Sequence, residues 1–93
     1  MKPRDRNEIF AAILHTASTG NIRLTKIMYS SFLSYTQVVE YLQYLQDLQF
    51  LVYNTGYKSY SITPKGLRFL ELHERMCQML SEYHEVRVST KQE

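Results

Sequence analysis

The 93-residue sequence holds one cysteine, Cys77, no tryptophan, three glycines and two prolines. A single cysteine excludes an intramolecular disulfide and favours a reducing compartment. The longest uninterrupted apolar run covers residues 9–14, far short of the roughly 20 residues that a membrane-spanning helix needs. The opening "MKPRDRNE" reaches a carboxylate by residue 5 and is unlike a secretory signal. These absences predict a cytoplasmic protein without a membrane segment.

Motifs of recognisable enzyme chemistry are also missing from the sequence. It contains no phosphate-binding loop, no nucleophile elbow and no dense pair of carboxylates. His73, Cys77 and His84 follow one another at spacings of four and seven, but ligands spread along one helix do not close around a single ion without a partner. We therefore expect no enzymatic activity, no cofactor and no metal site.

Charge is distributed unevenly along the chain, although the net value is only +2. Residues 1–68 hold eight basic and four acidic side chains, which gives +4, whereas residues 69–93 hold three basic and five acidic ones, which gives −2. The first part therefore favours a polyanionic partner and the last part does not.

Hydrophobic periodicity predicts three helices, a β-hairpin and a long last helix within one domain. Helical spacing predicts the first two helices at about residues 5–18 and 24–31. Two β-rich runs, at 51–53 and 58–62, flank an Asn54–Gly56 segment that suits a hairpin turn. The last helix is expected to begin after Thr63 and to reach about Val86.

The third helix, residues 34–47, has the clearest start in the chain. Ser34 and Gln37 have the spacing of a capping box, in which each side chain bonds the backbone amide of the other. Val38 then begins a stripe that we expect to be buried. At about 100° per residue, the opposite side carries polar residues without a single lysine or arginine: Thr36, Gln37, Glu40, Gln43 and Tyr44.

Three helices followed by a hairpin is the order of a winged helix-turn-helix. In that fold the third helix enters the major groove and the hairpin, called the wing, reaches the backbone or the minor groove. The segments "TKIMYSSFLSYTQVVEYLQYL" and "YSITPKGLRFL" resemble the archaeal winged-helix family that includes small, ten-kilodalton nucleoid-associated proteins. The most specific elements are "KIMY", "LSY" and the "IT-x-KG" that closes the wing. The resemblance spans about residues 6–72 and implies a basic DNA-binding protein that dimerises through a long terminal helix.

The candidate DNA contacts lie at the start of the third helix and on the elements around it. A helix N-terminus favours phosphate, Gln37 has the groups to pair with adenine in a bidentate manner, and Arg4 and Arg6 would form a flexible arm. In the alternative interpretation the polar residues only solvate the helix, and Lys58 discourages pairing at the hairpin edge. The predicted DNA-binding residues are Arg23, Lys26, Ser34, Tyr35, Thr36, Gln37, Tyr44 and Lys58.

Apolar residues of the last helix recur at alternating spacings of three and four, as in a coiled coil. The stripe is wider than one small domain covers, which predicts a homodimer. We expect a winged-helix core at 1–68, a dimerisation helix at 64–87 and a flexible tail at 88–93. The predicted interface residues are Phe69, Leu72, Met76, Met79, Leu80 and Tyr83.

The leading hypothesis is therefore a dimeric winged-helix protein that binds double-stranded DNA, as a transcriptional regulator or a nucleoid-associated protein. The alternative is a protein-interaction module with the same fold that does not bind nucleic acid. Glu40 and Asp47 in the third helix favour this alternative, because carboxylates repel phosphates. A ligand-responsive repressor is a third possibility, although no residue identifies a small molecule.

Overall fold

The computed structural model describes the backbone of residues 4–91 and the side chains of residues 4–82. Its elements are α1 (Arg6–Ala17), α2 (Leu24–Ser30), α3 (Tyr35–Asp47), β1 (Leu51–Asn54), β2 (Ser59–Ile62) and α4 (Pro64–Lys91). The predicted order of three helices, a hairpin and a long helix is confirmed, and the fold is a winged helix-turn-helix.

One hydrophobic core joins the three short helices to the hairpin. Helix α1 lies at its centre and packs against α2, β2 and α4. The Phe10 ring of α1 makes edge contacts with Tyr41 of α3 at 5.9 Å and with Phe69 of α4 at 6.3 Å between ring centroids. Burying each aliphatic side chain contributes about 1.5–3 kcal/mol. The fully buried aliphatic residues are Ile13, Leu14, Ile27, Val38, Leu42, Leu45 and Leu51.

The start of α3 is fixed by the predicted capping box. The Gln37 amide donates to Ser34 Oγ at 3.2 Å, and the Ser34 amide donates to Gln37 Oε1 at 3.0 Å. Behind the cap, the stripe that begins at Val38 is buried, as expected. Such a cap contributes about 1 kcal/mol and sets the residue at which the exposed side of α3 begins.

Helices α2 and α3 both end in a Schellman motif, with a residue other than glycine in the left-handed position. Phe32 has φ 56° and Gln49 has φ 64°. This conformation costs a residue with a Cβ roughly 1–2 kcal/mol, so the turn that aims α3 is held by hydrogen bonds. In each motif the amide after the strained residue donates to a carbonyl five residues back: Leu33 to Met28 at 3.1 Å, and Phe50 to Leu45 at 2.9 Å.

The wing is an antiparallel hairpin whose strands pair from Leu51 with Ile62 to Asn54 with Ser59. The prediction that Asn54 belongs to the turn and Lys58 to the second strand was wrong. Asn54 is the last residue of β1, and Lys58 lies in the turn with φ 50°. The Asn-Thr-Gly sequence suggested a short turn, whereas a four-residue loop closes here through a left-handed residue before β2.

A second set of contacts ties the wing to the segment that follows α1. Ile22 and Tyr60 exchange backbone hydrogen bonds of 2.9 and 2.8 Å. The Asn21 Oδ1 accepts from Asn54 Nδ2 at 2.8 Å and from Ser61 Oγ at 2.6 Å. The wing is therefore fixed relative to the helices at both its backbone and its side chains.

The junction between the wing and α4 explains the "IT-x-KG" motif. Thr63 Oγ1 accepts from the Gly66 amide at 3.0 Å and donates to the Gln49 carbonyl at 2.6 Å. At Gly66 the helix passes so close to the end of α3 that an added Cβ would collide with the Phe50 carbonyl oxygen and lie 2.8 Å from Ile62 Cγ1. Only glycine fits this position without movement of the backbone.

Helix α4 is longer than the sequence predicted. It continues to Lys91, whereas we expected it to end near Val86 and residues 88–93 to form a flexible tail. Residues 88–91 belong to the helix, since neither glycine nor proline follows Gly66 to stop it. The remaining two residues of the predicted tail lie outside the described residues.

We expect Gly66→Ala to lower the free energy of unfolding by about 1–3 kcal/mol, the cost of overpacking, although alanine is the better helix former by about 1 kcal/mol. Gly56→Ala is the control, because nothing lies within 4 Å of an added Cβ there. Urea denaturation followed by circular dichroism measures both variants, and equal stability of the two would contradict the close approach at Gly66.

The free energy of unfolding should also fall at alkaline pH, because the Tyr60 hydroxyl in the wing is partly buried. Partial burial, followed by the nearby Tyr53 and Tyr35 hydroxyls, raises the pKa of Tyr60 above its ordinary value of 10.0. The folded chain therefore keeps this proton where the unfolded chain has lost it, so the stabilisation is complete below about pH 10 and is lost as the pH rises through the raised pKa. Denaturation across this range should show a shallower decline for Tyr60→Phe than for the exposed control Tyr57→Phe. An identical decline in both variants would refute the assignment to Tyr60.

Candidate nucleic-acid interface

The outward side of α3 is a narrow polar ridge opposite the core. At about 100° per residue, the four ridge residues fall within a sector of about 60°, roughly opposite the buried stripe, and all four are exposed. Two of them carry carboxylates and none carries a positive charge. The ridge consists of Thr36, Glu40, Gln43 and Asp47.

The structure leaves all eight predicted DNA-binding side chains exposed. The start of α3 contains four of them, Ser34, Tyr35, Thr36 and Gln37, and Tyr44 lies two turns further along the helix. Arg23 and Lys26 lie at the start of α2, while Lys58 lies in the wing turn. Tyr35 lies close enough to the wing to contribute, after burial and Tyr53, to the raised pKa of Tyr60.

The capping box restricts the bidentate pairing with adenine that the sequence predicted for Gln37. Its Oε1 accepts from the Ser34 backbone amide in the capping box, which occupies one of the two lone pairs of this oxygen and fixes the orientation of the amide. Adenine offers both a donor and an acceptor in the major groove. A bidentate contact would have to use the second lone pair of Oε1 in the orientation that the cap imposes, or break the cap at a cost of about 1 kcal/mol.

Two arginines that we expected in a flexible arm instead pack against the helix-turn-helix. Arg4 Nη2 donates to the Ser31 carbonyl at the end of α2, at 2.6 Å. Arg6 lies in the first turn of α1, with its guanidinium carbon 5.1 Å from the centre of the Tyr44 ring, a cation–π contact. No local pattern predicts these contacts, because they depend on how the start of α1 lies against the end of α2 and against Tyr44 of α3.

Exposed aromatic rings are concentrated on the helix-turn-helix and the wing. Phe32 is 86% exposed although its backbone is strained, and Tyr29, Tyr35 and Tyr57 are also exposed. In the wing, the Tyr53 ring packs at 5.0 Å on the Tyr60 ring. Exposed tyrosines combine an apolar ring with a hydroxyl that can bond phosphate, and sequence reasoning did not identify Phe32 as one of this group.

Beyond its first turns, α4 presents apolar side chains that nothing in the described chain covers. Residues 74–82 are all exposed, including Met79, at 69%. The predicted interface residue Phe69 is half-buried and packs on the Phe50 ring at 5.1 Å. Phe69 and Leu72 together line two shallow depressions on this part of α4. The side chain of Tyr83, also predicted there, lies outside the described side chains. The exposed apolar set is Leu72, Met76, Met79 and Leu80.

The His73 and Cys77 side chains are neighbours on α4, with Sγ 3.8 Å from Nδ1. The third residue considered for metal binding, His84, lies outside the described side chains. Among the described residues, no group of three or more His, Cys, Asp or Glu side chains is placed to hold a metal ion. Within residues 4–91, no helix is both long and apolar enough to span a membrane.

Comparisons with known proteins find the same fold. The family model described as winged helix-turn-helix matches residues 3–81. The structure is also similar to the crystal structure of Sso10a-2, a DNA-binding protein from Sulfolobus solfataricus, with a TM-score of 0.82 and 21% sequence identity over 96% of this chain and 95% of that chain. No curated protein matches the sequence. The extent of the family match, together with the three helices and the wing, shows that the chain belongs to the winged helix-turn-helix family.

Proposed function

We propose that this protein binds double-stranded DNA, with α3 in the major groove and the wing against the backbone or the minor groove. The observation that carries the proposal is that exposed cations contact the helix-turn-helix: Arg4 bonds the Ser31 carbonyl before α3, and Arg6 stacks on Tyr44 of α3. Further exposed cations lie at the start of α2 and in the wing turn. The similar Sso10a-2 structure is that of a DNA-binding protein, which supports the same function here.

Phosphate contacts from these flanking residues would supply most of the affinity. The cations are Arg4, Arg6, Arg23, Lys26 and Lys58. If all five met phosphates in both chains of a dimer, the ten contacts would give a slope of about −9 for log K against log salt concentration. Glu40 and Asp47 oppose this attraction, so we expect a shallower slope and moderate affinity.

We further propose that two copies pair through α4. A helix segment with no packed face is only marginally stable in water, yet residues 74–82 are helical and exposed throughout. The two shallow depressions lined by Phe69 and Leu72 would accept apolar side chains from a second α4. A symmetric pair would present two α3 helices to successive major grooves, about 34 Å apart.

The cellular role that fits this arrangement is a transcriptional regulator or a nucleoid component acting in the cytoplasm. The two roles differ in base discrimination, because a regulator needs a preferred site and an architectural protein needs only backbone contacts.

A second candidate function is a protein-interaction module, and the acidic ridge of α3 favours it. Under this function the exposed apolar side of α4 would bind an unrelated chain. Changing both Lys26 and Lys58 to Glu would then leave partner binding intact, whereas the same change would abolish duplex binding under the first proposal.

We expect Arg23→Ala to weaken binding to a random-sequence duplex and to reduce the magnitude of the salt slope by about 0.9 for each chain bound. Arg75→Ala removes the same charge from the exposed surface of α4 and should leave both quantities unchanged. Fluorescence anisotropy over a salt series measures them. Affinity that stays flat as salt rises, or no binding at low salt, would refute DNA binding by this surface.

We expect the wild-type chain to sediment at twice its 11.1 kDa mass and Met79→Glu to shift it towards the monomer. The substitution places a carboxylate from each copy in an apolar seam, which should raise the dissociation constant at least about tenfold, or 1.4 kcal/mol. Gln78→Glu adds the same charge one residue away, on another side of the helix. A wild-type monomer, or equal effects of the two substitutions, would contradict pairing along this stripe.

A further inference from the structure

The ridge of α3 combines two carboxylates with two neutral polar side chains and carries no cation. Gln43 Nε2 donates one of its two N–H groups to Asp47 Oδ1 at 3.0 Å, which links these two side chains. Thr36 carries a hydroxyl, which is neutral. Glu40 is therefore the ridge residue that brings a full negative charge to the middle of the helix.

Position along the helix separates the two carboxylates. With a rise of about 1.5 Å per residue, Glu40 lies about 6 Å beyond Thr36 and about 10 Å before Asp47. A recognition helix contacts base edges chiefly through its N-terminal residues. When the start of α3 enters the groove, Glu40 faces the bases, and Asp47 lies near the end where the helix leaves the groove.

A carboxylate in this position has a restricted set of partners in DNA. It accepts hydrogen bonds but cannot donate them, and it repels phosphates. In the major groove the donors are the N4 amino group of cytosine and the N6 amino group of adenine, and the adenine group lies beside the N7 acceptor. Cytosine therefore offers a carboxylate the better contact.

We infer that Glu40 is a specificity-determining residue that accepts a hydrogen bond from the N4 amino group of cytosine in the major groove. The inference rests on the proposed binding of double-stranded DNA. Glu40 weakens binding at most sequences by repelling the backbone and recovers that loss only opposite an amino group. It thus lowers non-specific affinity and raises discrimination at the same time.

The test is selection of bound sequences from a duplex library with a randomised centre, performed with the wild-type chain, Glu40→Gln and Asp47→Asn. The wild type should enrich cytosine at one position in each half-site, with at least about a fivefold loss of affinity for another base there. Glu40→Gln should change that preference to adenine, which glutamine reads through N6 and N7, and should bind random duplex more tightly.

Asp47→Asn is the matched control, since it removes the same charge from the same ridge. It should bind random duplex more tightly and keep the wild-type preference for cytosine. Thermal melting of all three proteins shows whether each variant is folded, and the exposed positions of both residues favour wild-type stability.

Three results would overturn the inference. A wild-type chain that binds duplex without base preference would refute cytosine recognition and leave the proposed function standing. An unchanged preference in Glu40→Gln would assign the reading to another residue. A folded wild-type chain that binds no duplex at low salt would refute both the inference and the function on which it rests.

Discussion

Burial of one side of α3 in the common core is the constraint on which the rest of the structure depends. Val38, Leu42 and Leu45 are fully buried, and a one-residue change in helical phase would expose part of this stripe. The capping box at Ser34 fixes where the helix begins, and the strained Phe32 turn fixes how it follows α2. Together these interactions determine which side chains reach outward, and therefore which groups any partner of this surface meets.

In the proposed complex with DNA, affinity and selectivity come from different parts of the chain. Positive charge comes from elements beside α3, including Arg6, which is held by its contact with Tyr44. The ridge of α3 carries two carboxylates, which are unfavourable near phosphates and favourable opposite an amino group. The wing keeps its position through the Asn21 hydrogen bonds. Removing positive charge should therefore weaken binding at every sequence, whereas changing the ridge should alter which sequences bind.

Local signals in the sequence were sufficient to predict the elements and their order. The Ser34–Gln37 capping box depends on residues three apart, and the buried stripe of α3 depends on helical spacing, so both could be read directly and both are confirmed. The order of these elements predicted the winged helix-turn-helix, and the family match confirms it. The hairpin turn was misplaced, because the four-residue loop requires Lys58 in a left-handed conformation. Lysine is not a residue type that predicts this conformation. Contacts between distant segments, such as Arg4 with Ser31 and Gly66 with Phe50, could not be predicted, since they arise only when the helices pack. Gln37 is a different case: the capping box that was predicted from the sequence already uses its oxygen, yet its amide was also assigned to DNA.

The most direct test of the central claim is an NMR titration of isotope-labelled protein with a short duplex. We predict that two sets of backbone amide signals shift together and reach saturation: those of residues 34–37 at the start of α3 and those of residues 55–58 in the wing turn. The amide signals of residues 74–82 in α4 should not shift, because we propose that this segment pairs two copies and does not contact DNA. Shifts confined to α4, or an absence of shifts at the start of α3 while the duplex is bound, would contradict recognition of DNA by this helix.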